Sequence, residues 1–148
     1  MNVVLLYNHF NDVHVYFDEP IQNIIMDNSK FTKITYSNEH VMLSGIYLSL
    51  PIKYTKSEDH YKKTKITYDI KSNKELLQGI YDIECTVLNK YSNNYKIQKK
   101  VIYDTLKTGT IKFFPTETNN SLNNKNFILK ISGIWENETE YGVTYKIM

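Results

Sequence analysis

The chain has 148 residues, 18 basic against 16 acidic side chains, a net charge of +2, and 41% apolar residues. That length supports one domain with a real core, residues 1–148, and so small a net charge does not by itself announce nucleic acid. One cysteine, Cys85, excludes an intramolecular disulfide and suits a reducing compartment. Apolar runs such as Val3–Leu6 are too short for a signal segment or a membrane span, so a soluble, cytoplasmic protein is expected.

Alanine and arginine are both absent, and every basic residue is a lysine. This is the mark of an AT-rich genome, which also inflates the counts of Lys, Asn and Tyr. Position therefore carries more information than number. Seven lysines face three acids between Lys53 and Lys74, and six face one between Lys90 and Lys112. Basic charge is concentrated in the middle of the chain.

In chain order, Val13–Phe17 and Phe31–Tyr36 ("FTKITY") read as strands rich in β-branched and aromatic residues. Along Val41–Tyr54, Ile46, Leu48, Leu50 and Ile52 share one face, with Tyr47, Ser49 and Lys53 on the other. Pro51 marks an edge or an end there. The polar stretch Lys56–Lys65 lacks apolar alternation and is expected to be a mobile loop that clamps a ligand. Thr64–Ile70 alternates again, with Ile66, Tyr68 and Ile70 inward.

The period then changes. Ser72 and Glu75 have capping-box spacing, and Leu76, Ile80, Ile83, Val87 and Tyr91 follow at helical intervals, predicting one amphipathic helix over about 72–91. Strands resume at Tyr95–Asp104 and Thr108–Phe114, followed by an Asn-rich loop at Asn119–Asn126 and a hairpin over Phe127–Ile147. One helix inserted among antiparallel strands predicts a mainly β fold, an OB-type five-stranded antiparallel barrel with a short N-terminal extension of strands. A β-sandwich is the alternative.

Phosphate-cradling glycine motifs and paired zinc-ligand spacings are absent, so no cofactor and no metal is expected. Cys85 lies between Ile83 and Val87 on the predicted helix, the setting of a packed thiol rather than a nucleophile. Glu136, Glu138 and Glu140 alternate as a metal or acid/base site would, and a solvated acidic hairpin tip is the expected reading of the same pattern. No catalytic residue is assigned, and an enzyme is not expected.

What remains is the outward face of the strands. Tyr47, Lys53, Lys65, Lys112 and Phe114 point away from the aliphatic sides, and Lys62 and Lys63 fall in the candidate clamp. Lysines follow phosphates and release counterions, and aromatic rings stack on any base, which is what single-strand binding needs. Without arginine forks, sequence readout of a duplex is not expected. The same residues also make ordinary solvated strands. Strict alternation puts Trp135 with the core residues Leu129 and Ile131, and only a bulge at Gly133 would turn it outward.

The closing segment "LKISGIWENETEYGVTYKI" resembles the C-terminal hairpin of small single-stranded DNA-binding proteins of large DNA viruses. The whole chain is similar in length and element order to those of yeast cytoplasmic linear plasmids. The resemblance implies an OB-type coat protein for single-stranded DNA in cytoplasmic replication, with Trp135, Tyr141 and Tyr145 stacking and Lys130 and Lys146 on phosphates. RNA is the alternative ligand, and self-association through an exposed edge strand near Pro51 and contacts with replication proteins are expected besides. Without an acidic tail, such contacts are expected on another surface. The competing expectation is a β-sandwich structural or protein-interaction module, a virion-like component.

Overall fold

The computed structural model describes residues 4–22, 28–92, 95–114 and 127–148, so the Asn-rich loop expected at Asn119–Asn126 lies outside the described residues. The fold is mainly β, as expected, and is organised around one long strand.

The strands are β1 (Val15–Phe17), β2 (Ile21–Gln22), β3 (Lys30–Ser37), β4 (Met42–Ser44), β5 (Ile46–Leu50), β6 (Tyr54–His60), β7 (Lys63–Tyr68), β8 (Ile97–Lys99), β9 (Thr110–Phe113), β10 (Phe127–Glu136) and β11 (Glu140–Ile147). Helix α1 (Lys74–Tyr91) separates β7 from β8, and a short helix α2 (Val101–Leu106) precedes β9. The larger sheet runs β1-β3-β10-β11-β8, with β2 and β4 on β3 and β5 on β10; β6-β7-β9 form a second sheet.

The described strands do not close into a barrel, which corrects the five-stranded barrel expected from the element order. The reason is in β10. One of its edges is taken by β11, and the other is divided between β5 (paired from Phe127 to Ile131) and β3 (paired from Gly133 to Glu136). A strand with a divided edge branches the sheet instead of bending it round. At Pro51 the chain leaves β5 and passes into the second sheet, consistent with a residue that has no N–H to give a ladder.

The apolar alternation is kept except at Ile70, expected inward, which lies past the end of β7 and is exposed. Ile46, Leu48, Leu50 and Ile52 are all buried, and so are Ile66 and Tyr68 on β7 and Ile111 and Phe113 on β9. These residues join Leu76, Leu77, Ile80, Ile83, Val87 and Leu88 of α1 in one core. Burying each such side chain is worth about 1.5–3 kcal/mol. Phe113 and Phe127 meet edge-on at 5.0 Å between centroids, where the second sheet abuts β10.

The helix ends depart from expectation. The capping box does not form: Ser72 Oγ donates to Asp69 at 2.8 Å, and Asn73 spends its side chain on Lys53 and Asp69. A 3-10 turn, Lys71–Asn73, leads into α1 instead. Tyr95–Asp104, expected as a strand, is strand only over Ile97–Lys99; α2 takes over at Val101. The cause is Glu84 of α1, fully buried, whose two oxygens accept the N–H groups of Ile102 (2.9 Å) and Tyr103 (3.0 Å). That carboxylate serves the first turn of α2, and Ile102 and Leu106 then bury one helical turn apart.

A lysine and aromatic face as candidate nucleic-acid interface

In the second sheet β7 and β9 each bury one face and turn the other outward, and β6 is solvated along most of its length. The pairs Lys65↔Lys112 on β7/β9, and Glu58↔Lys65 and His60↔Lys63 on β6/β7, bring the outward residues of three strands onto one surface. Opposite them, Thr64, Ile66, Tyr68, Ile111 and Phe113 face the core. Period-two alternation thus sorts lysine from aliphatic residue strand by strand.

The stretch expected to be a mobile clamp, Lys56–Lys65, is a β-hairpin. It turns at Tyr61 and Lys62, with Tyr61 in the left-handed region at φ 57°. Tyr61 projects fully into solvent, at 107% of its reference exposure. Beside it, Lys62, Lys63, Lys65, Lys112, Phe114 and His60 line an open groove of about 640 Å³. Phe114 is 58% exposed, and the Lys63 Nζ lies 5.4 Å from its ring centroid. No carboxylate lines this groove. Glu58, opposite Lys65 in the ladder, is engaged by Lys56 at 2.5 Å and by His60 at 3.3 Å, and those two hydrogen bonds hold its carboxyl below the usual range.

A second groove of about 310 Å³ shares Lys112 and Phe114 with the first and adds Thr105, Tyr145 and Lys146. The Tyr145 hydroxyl lies 2.7 Å from Thr105 Oγ1, which fixes the ring at the wall of that groove. Of the residues singled out from sequence, Lys62, Lys63, Lys65, Lys112 and Phe114 therefore share one groove, and Tyr145 and Lys146 adjoin it.

The others lie elsewhere. Tyr47 and Lys130 are cross-strand partners on β5 and β10, with the Lys130 Nζ 5.4 Å from the Tyr47 centroid. Lys53 borders a separate depression with Lys71 and Lys74. Tyr141 is 3% exposed and packs on Tyr91, so its ring is not presented to a ligand. Trp135 follows the bulge: Ser132 is the extra residue between Ile131↔Tyr145 and Gly133↔Thr144, so burial shifts to Ile134 and Glu136. Trp135 turns to the other side, half-buried over Gly142, and donates to the Val143 carbonyl at 3.2 Å.

The three glutamates weighed as an acid/base site do not converge. Glu136 is buried and bonded to Tyr91 and Lys96, Glu138 accepts from Asn28, and Glu140 pairs with Lys99. Among the described residues no group of His, Cys, Asp or Glu is arranged to hold a metal ion. Cys85 is half-buried on α1 beside Tyr81.

Sequence reasoning missed Tyr61 and His60. The signal was present: two residues, Tyr61-Lys62, stand between segments whose charged residues alternate in register. Without apolar alternation that pattern does not stand out as a hairpin. Among the described residues no helix is long and apolar enough to cross a membrane. Comparison with family models, curated proteins and solved structures finds no match to this chain.

Proposed function

We propose that the chain binds single-stranded nucleic acid, DNA in the first instance, without sequence preference, and coats it during replication in the cytoplasm. The observation that carries this is the groove on the second sheet: four lysines and two exposed aromatics with no carboxylate among them. Bases stack on Phe114 and Tyr61, each stack worth roughly 1–3 kcal/mol whatever the base. Lys62, Lys63, Lys65 and Lys112 follow the phosphates on either side, and Lys146 and Tyr145 extend the track into the adjoining groove. The lack of arginine favours tolerance of sequence over duplex readout. What this function takes from the OB-type resemblance is the use of an aromatic and basic sheet face, which does not depend on barrel closure. No chemical step is assigned to the site.

The test is a titration of labelled oligo-dT at two salt concentrations, with duplex of equal length and oligo-U in parallel. Binding that weakens with salt, exceeds duplex binding and falls about tenfold or more in Phe114→Ala is the expected result. No binding at low salt refutes the proposal. A Phe114→Ala variant that binds as wild type moves the ligand off this groove.

A further inference from the structure

Among the described residues β6 is one edge of the second sheet, and this edge carries its own complementarity. His60 and Lys63 close a two-residue turn, which makes them a hydrogen-bonded pair. Alternation from that pair directs the N–H and C=O of Glu58 and Lys56 towards β7, and those of Ser57 and Asp59 away from it. Among the described residues no backbone group bonds to the outward groups of Ser57 or Asp59. Lys56, Ser57, Asp59 and His60 are exposed.

We infer that β6 pairs with β6 of a second copy of this chain, antiparallel about a two-fold axis at Ser57. In that register the two Ser57 residues exchange the outward hydrogen bonds, and Lys56 of each copy stands opposite Glu58 of the other. Both side chains lie on the lysine face, since Glu58 is opposite Lys65 in the ladder. The Lys56–Glu58 contact within each strand, 2.5 Å, is exchanged one for one, two intrastrand contacts for two across the axis. Two opposite-charge pairs in directly opposed positions are the favourable cross-strand arrangement, and moving the two-fold axis one residue along, to Lys56 or Glu58, sets that residue against its own copy. Joining the edges makes one six-stranded sheet whose lysine grooves open on the same side.

The contact is short. The register shift between Tyr54 and Lys56 marks a bulge at Thr55 that limits the ladder at one end. The interface is therefore small against the roughly 1,600 Å² of a standard one. Such a dimer is weak and salt-sensitive in free solution and is favoured where copies are held side by side on one strand.

The experiment is sedimentation equilibrium of the full chain without nucleic acid, from low micromolar to millimolar concentration at low salt. This keeps it independent of the binding proposed above. Wild type is expected to show a monomer–dimer equilibrium. Glu58→Lys and Lys56→Glu each weaken it by about tenfold, because each sets like charges opposite one another. The double exchange, K56E with E58K, restores it. Ser57→Pro removes the outward N–H while leaving the β7 ladder intact, and is expected to abolish the dimer. Circular dichroism checks each fold, and the charge exchange stands alone if the proline variant does not fold. A wild-type chain that stays monomeric throughout overturns the inference. So does a dimer that survives the single reversals, or one that the double exchange fails to restore.

Discussion

Tyr68 ties the lysine-bearing sheet to the rest of the molecule, and its titration offers a direct measure of that tie. The side chain is 4% exposed, and its hydroxyl donates to the Leu106 carbonyl at the end of α2, at 2.5 Å. Burial pushes the phenol from 10.0 up to about 12. In the unfolded chain it titrates near the ordinary value, so between pH 10 and 12 the native state holds a proton that the unfolded state has released. The stabilisation is fully present below that window and is lost as pH rises through it. Two pH units at about 1.36 kcal/mol each amount to about 2.7 kcal/mol. Tyr68→Phe removes the titration along with one hydrogen bond. Leu106 O still accepts the Gly109 N–H, so the substitution costs only about 1 kcal/mol at neutral pH. The Phe variant therefore starts below wild type and overtakes it near pH 11, by about 1.5 kcal/mol at the top of the window. Urea unfolding of both proteins across that range, taken as a difference, cancels the titration of the lysines and the other tyrosines. A constant gap from neutral pH to pH 12 would refute the reasoning.

Three further outcomes are expected. Replacing Lys62 and Lys63 with Ala lowers the slope of log affinity for oligo-dT against log salt by about 1.4, two phosphate contacts at about 0.7 each; an unchanged slope excludes those contacts. Gly133→Ala brings a Cβ within 2.3 Å of the Thr32 carbonyl, so the β3–β10 pairing must part; urea unfolding should read a loss of about 3 kcal/mol, and a near-neutral effect would show that the strands slide freely. Glu84→Gln turns an amide NH₂ towards one of the two N–H groups that the carboxylate now accepts. It should cost about 2 kcal/mol, with faster amide exchange at Ile102 and Tyr103. Unchanged exchange at both amides would mean that α2 starts without Glu84.

The parts of the fold legible in the sequence were those whose signal is local. The alternation through Ile46–Ile52 and Ile66–Tyr68, and the helical spacing of Leu76, Ile80, Ile83 and Val87, each report which side meets the core. Where the deciding partner is distant, the same reasoning fails. Val101–Leu106 has the β-branched look of a strand, and becomes helix because Glu84 supplies acceptors from another element. The β6 strand is solvated along most of its length and leaves no apolar period to detect. The site was legible in the same partial way. Parity identified Lys65, Lys112 and Phe114 as outward, yet parity assigns a face and not a neighbour. Only the pairing of β7 with β9 brings them together, while the pairing of β5 with β10 gives Lys130 to Tyr47.

The bulge at Ser132 has a practical consequence. It leaves the molecule's one tryptophan on the larger sheet, against Gly142 and hydrogen-bonded to Val143, while the lysine groove belongs to the other sheet. Tryptophan emission therefore follows the integrity of the β10–β11 hairpin rather than stacking on Tyr61 or Phe114, so a ligand titration that leaves it unchanged is no evidence against binding. A dye on the oligonucleotide reads occupancy at the same time, and the two wavelengths separate a variant that has lost its ligand from one that has lost its fold.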